Sequence, residues 1–75
     1  MDSGKTGTLI AEARKAKGLT QRQLAETLHI SDRTVSKWER GQSLPDIDLL
    51  TPLADILGVT VAELLKGERL TGEQV

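Results

Sequence analysis

Asp32, Arg33, Ser36, Lys37 and Arg40 recur at intervals that gather them on the outside of one short helix, with Thr34 at its flank. These side-chain types suit the reading of base edges in the major groove of duplex DNA. Arg or Lys donates to guanine O6 and N7, Asp accepts from cytosine N4, and Ser or Thr bonds to several edges. Each good pair discriminates between bases by roughly 1–3 kcal/mol. A solvated helix face can have the same composition, so the elements that position this face decide between the two readings.

Those elements lie in residues 20–41, TQRQLAETLHISDRTVSKWERG. Leu24, Ala25 and Leu28 fall on one face of a helix over 21–28, and Val35 and Trp38 on one face of a helix over about 32–40. Ile30, in the turn, points between them. Two helices that cross near their ends need a small contact residue. Ala25 supplies it, and a larger one would cost about 1–3 kcal/mol in overpacking. Thr20 with Gln23 three residues on makes a capping box, and Leu19 is placed for a hydrophobic staple. Ser31 or Asp32 caps the second helix, and Gly41 ends it. Trp38 is the only aromatic residue. Its helical position makes it a core anchor rather than a platform for stacking bases. The pair forms a helix-turn-helix unit.

The rest of the chain supports that unit. Thr6 or Thr8 caps a first helix that runs to about Lys17 and buries Ile10 and Ala13. Asp46 caps a fourth helix over about 46–57, with Ile47, Leu50, Leu53, Ala54 and Leu57 at helical spacing. Pro52 interrupts its hydrogen bonding, so that helix is expected to be continuous but slightly distorted. Thr60, with Glu63 at the capping-box position, opens a fifth helix over 61–65. Residues 42–45 read as an exposed connector. The domain spans 6–67, with flexible tails at 1–5 and 68–75. The fold class is all-α, five short helices around one aliphatic core.

Seventy-five residues make one domain. A domain this small buries only about 60% of its unfolded-chain surface. It contains no cysteine and one histidine, so no disulfide, metal site or cofactor is expected. No catalytic constellation emerges, which argues against an enzyme. There is no apolar run long enough for a membrane span and no signal peptide, so a cytoplasmic location is expected. The net charge is −1, but it is unevenly placed. Residues 5–42 carry eight basic and four acidic side chains, while 43–75 carry two basic and six acidic ones. A basic half can face phosphates while the acidic half faces away.

The spacing resembles the phage repressor/Cro-type, or Xre, helix-turn-helix proteins, whose fold is the lambda-repressor-like domain. The shared anchors are Arg14, Gly18-Leu19-Thr20-Gln21, Leu24-Ala25, Val35 to Gly41, Leu44-Pro45-Asp46, Leu57-Gly58-Val59 and Glu63-Leu64-Leu65. The resemblance implies that Gln21 bonds a backbone phosphate, with Arg22 beside it. Asp32, Arg33, Thr34 and Lys37 would face bases, joined by Ser36 from its place on the same outward face, and Arg40, Gln42 and Ser43 would lie along phosphates. Arg14 would pair with Glu39 and pin the first helix to the third. Ala25, Val35 and Trp38 would be structural. One departure stands out. The family usually has glycine in the turn where this chain has His29, at a site that tends to need positive φ. His29 is therefore expected to be a strained turn residue.

The leading expectation is a sequence-specific double-stranded DNA-binding transcriptional regulator, working as a homodimer on an inverted repeat. The alternatives are an antitoxin-type regulator and a helical protein-interaction module that has lost DNA binding. The pattern SKWERGQSLPD resembles regulators that continue further, so a C-terminal effector domain or protein partner outside this chain is also expected.

Overall fold

The computed structural model describes residues 1–70 and holds five helices. They are α1 (Ser3–Ala16), α2 (Gln21–Leu28), α3 (Asp32–Glu39), α4 (Ile47–Leu57) and α5 (Val61–Lys66). There is no strand among the described residues, so the fold is the all-α, five-helix one expected. No helix among them is long and apolar enough to cross a membrane.

The N-terminus differs from expectation. Helix α1 starts at Ser3, so residues 3–5 are helical rather than tail. Asp2 is the cap: its carboxylate accepts from the Lys5 N–H at 3.0 Å. The two threonines that looked like caps are engaged elsewhere. Thr6 is buried and its hydroxyl donates to the Leu64 carbonyl at 2.8 Å, tying α1 to α5. Thr8 bonds back to the Gly4 carbonyl at 3.0 Å. Gly7 lies where α1 crosses the end of α3. An added Cβ there would collide with the Trp38 carbonyl oxygen, so the approach requires glycine.

Helix α2 has the full capping box, with the Thr20 side chain accepting from Gln23 and the Gln23 side chain accepting from Thr20. Its C-cap is His29, at φ 60 and ψ 40, the left-handed region. Of the two candidate caps for α3, the structure uses Ser31, whose hydroxyl accepts from the Thr34 N–H. Helix α3 closes with Gly41 at φ 74. The Gly41 N–H reaches the Trp38 carbonyl and the Gln42 N–H the Lys37 carbonyl, a Schellman arrangement.

Pro45, placed in an exposed connector by the sequence, is buried instead. Helix α4 runs unbroken through Pro52. Asp46 is its N-cap residue but makes no side-chain capping bond. Helix α5 carries its expected capping box, with Thr60 and Glu63 exchanging bonds. The second Glu63 oxygen accepts from the Leu70 N–H at 2.7 Å, and Lys5 pairs with Glu68 at 3.3 Å. Residues 68–70 are thus anchored; the rest of the expected C-terminal tail, 71–75, lies outside the described residues. One apolar cluster joins all five helices, with Ile10, Leu24, Val35, Leu53, Leu57 and Leu64 fully enclosed and Trp38 at 2% exposure.

Candidate nucleic-acid interface

Val35 and Trp38 turn the apolar side of α3 into the core, which forces its polar side outward. Asp32, Arg33, Lys37 and Arg40 are exposed, and Thr34 and Ser36 are half-buried at the edges of the same face. The Thr34 hydroxyl lies 3.0 Å from the Ser31 hydroxyl, so the cap and this edge residue share one hydrogen bond. Arg40 leans back on its own helix, its Nε 3.3 Å from the Ser36 carbonyl. Arg33 and Lys37 are the exposed cations at the start and middle of this face.

Five of the candidate residues line two neighbouring open grooves, while Gln21, Arg33, Ser36, Arg40 and Gln42 line neither. Arg22 and Asp32 line one together with Glu26, Ile30 and Ser31. Thr34, Lys37 and Ser43 line the other, beside Leu44 and Asp46. Gln42 is exposed and Ser43 half-buried on the connector that follows α3. Arg22 and Glu26 pair at 3.5 Å across one turn of α2, both well exposed. Such pairs contribute little to stability.

Gln21 stands at the first position of α2, where helical N–H groups have no partner within the helix. The family resemblance implies a phosphate contact for it. In the structure its amide nitrogen donates to Glu39 Oε1 at 2.9 Å. Glu39 also takes Arg14 Nε at 2.6 Å and Arg14 Nη2 at 3.0 Å, and Arg14 Nη1 donates to the Leu19 carbonyl at 2.7 Å. Both the Arg14 and the Glu39 side chains are largely buried. Donating to the Glu39 carboxylate raises the Arg14 pKa above its ordinary value, against the opposing effect of burial. Sequence reasoning found the Arg14–Glu39 pair through the family resemblance. It missed the links to Gln21 and to the Leu19 carbonyl, which join residues that no local pattern connects.

Ala25 is buried at the crossing of α2 and α3, as its small side chain suggested. No group of three or more His, Cys, Asp or Glu residues suited to a metal occurs among the described residues.

Comparison with known proteins agrees with this geometry. The HTH-type transcriptional activator BcrR of Enterococcus faecalis is 43% identical over 61 residues, which is 81% of this chain and 30% of BcrR. The chain thus spans under a third of that relative's length. The crystal structure of the restriction-modification controller protein C.AhdI from Aeromonas hydrophila superposes with a TM-score of 0.75 and 35% identity. That match covers 84% of this chain and 96% of C.AhdI. Hydroxypropylphosphonic acid epoxidase from S. wedmorenis also matches, with a TM-score of 0.74 and 26% identity, over 84% of this chain but only 34% of the epoxidase. The helix-turn-helix family model matches residues 10–64, most of the chain. Taken with the α2–turn–α3 geometry, this places the chain in the helix-turn-helix family.

Proposed function

We propose that this chain is a sequence-specific double-stranded DNA-binding unit of a transcriptional regulator, with α3 lying in the major groove. The observation that supports it most is the exposed polar face of α3. Its two long cations, Arg33 and Lys37, stand opposite a fully buried apolar face. Asp32, Arg33, Thr34, Ser36 and Lys37 face the bases in this reading. Gln21, Arg22, Arg40, Gln42 and Ser43 hold phosphates, fixing register without reading sequence. The unit comprises residues 6–67, extended at its start by the first turn of α1.

A single short recognition helix covers few base pairs. The working form is therefore a homodimer on an inverted repeat, with half-sites one helical turn apart. The family includes proteins named as transcriptional activators and repressors, and a cytoplasmic setting follows from the same reading. The epoxidase match shows that this fold also occurs as part of an enzyme, so the fold alone does not fix the role.

The competing reading is a helical protein-interaction module, favoured by the net charge of −1. Titration of the chain into labelled duplex DNA at several salt concentrations separates the two. DNA binding predicts an affinity that falls linearly on a log–log plot against salt, with a slope set by the number of neutralised phosphates. Absence of any salt-dependent affinity for duplex DNA would leave the interaction module as the better reading.

A further inference from the structure

We infer that Glu39 is a positioning residue that orients the Gln21 amide for its phosphate, an inference that rests on the DNA-binding reading above. A glutamine side chain has three rotatable bonds and an amide that can present either its oxygen or its nitrogen. Only the nitrogen suits a phosphate, because a phosphate oxygen needs a donor. Glu39 decides the orientation. Its carboxylate only accepts, so the Gln21 Nε2 turns towards it, at 2.9 Å. The amide has two N–H groups and Glu39 takes one. The other remains at the first turn of α2, beside the backbone N–H groups that the capping box leaves outside the helical ladder.

Arg14 completes the device. An unpaired carboxylate next to a phosphate contact would repel the DNA. The bidentate guanidinium, at 2.6 and 3.0 Å, neutralises it and fixes both of its oxygens. The third Arg14 bond, to the Leu19 carbonyl, holds the residue that leads into the Thr20 cap of α2. One cluster therefore sets the start of α2 and the rotamer of its first side chain. The ordering entropy of Gln21 is met on folding rather than on binding.

The test is a double-mutant cycle in DNA affinity with Gln21→Ala, Glu39→Gln and both together, on protein shown by circular dichroism to be folded. Gln21→Ala is expected to weaken every duplex about tenfold, the size of one hydrogen bond to a charged acceptor. Glu39→Gln is expected to weaken binding by a similar factor, and the double variant by no more than either. The sign matters. Removing a negative charge near phosphates would by itself tighten binding, so a loss points to lost positioning. A folded Glu39→Gln protein that binds as wild type, or losses that multiply in the double variant, would overturn the proposal.

Glu39→Gln disturbs a nearly buried ion pair and can unfold a small domain. The free wild-type chain gives a second readout: the Gln21 side-chain amide should be as rigid by NMR relaxation as the backbone. An amide that averages over rotamers overturns the positioning role. If Gln21→Ala binds as wild type while the wild-type affinity is salt-dependent, the positioning role fails and the DNA-binding reading stands. If the wild type itself shows no salt-dependent affinity, both fail.

Discussion

Arg14 Nε lies 2.6 Å from Glu39 Oε2, and this contact joins α1 to the last residue of α3 across 25 positions of sequence. Both side chains are largely out of water, at 11% and 7% exposure. Neither charge can be stranded cheaply there. Arg14→Ala is expected to destabilise the fold by about 3–5 kcal/mol, the usual cost of removing one partner of a buried pair. Urea unfolding measures it. A loss below about 1 kcal/mol would mean that the pair behaves as a surface contact.

His29 sits at φ 60, a conformation that costs an L-residue roughly 1–2 kcal/mol. Glycine relieves that strain but adds backbone entropy to the unfolded chain, worth about 0.5–1 kcal/mol. His29→Gly is therefore expected to stabilise the domain by about 0.5–1 kcal/mol, seen as a higher thermal midpoint. A β-branched substitution, His29→Val, should lower the midpoint. Equal midpoints for Gly and Val would contradict the strain.

Glu63 holds two backbone N–H groups, that of Leu70 first and that of Thr60 second, and these bonds lower its pKa below the ordinary carboxylate value. A carboxylate whose folded pKa is lowered contributes stability above its unfolded pKa. That contribution is lost as pH falls through the lowered folded value. The Asp2 carboxylate, lowered chiefly by the Lys5 N–H, has the same sign. The urea midpoint is expected to be level above about pH 5 and to fall below about pH 4.3, the unperturbed glutamate value. Glu63→Gln should lower the neutral-pH midpoint and flatten the fall on acidification. An unchanged slope would remove Glu63 from the account of acid lability.

Much of this was legible in the sequence because the signals are local. Both capping boxes follow from a threonine with Gln or Glu three residues on. The inward Val35 and Trp38 follow from helical spacing. The errors arose where a local signal met a distant partner. Thr6 has the chemistry of a cap, yet Leu64, 58 positions away, takes its hydroxyl, and Asp2 caps the helix instead. The need for glycine at position 7 comes from the Trp38 carbonyl beside it, which no local pattern announces. The resemblance implies only a phosphate contact for Gln21, and its bond to Glu39, 18 positions away, has no local signal. Pro45 lies in a polar connector by composition, yet is buried in the fold.

The central claim is that the outer face of α3 reads base sequence, and selection from a random duplex library with the 75-residue chain tests it most directly. The account predicts enrichment of an inverted repeat with half-sites about 10 base pairs apart. It also predicts that Arg33→Ala or Lys37→Ala weakens the selected site by about 1–3 kcal/mol and relaxes base choice at one position of each half-site. Recovery of no motif, or a motif unchanged in both variants, would contradict the assignment of α3 as the reading element.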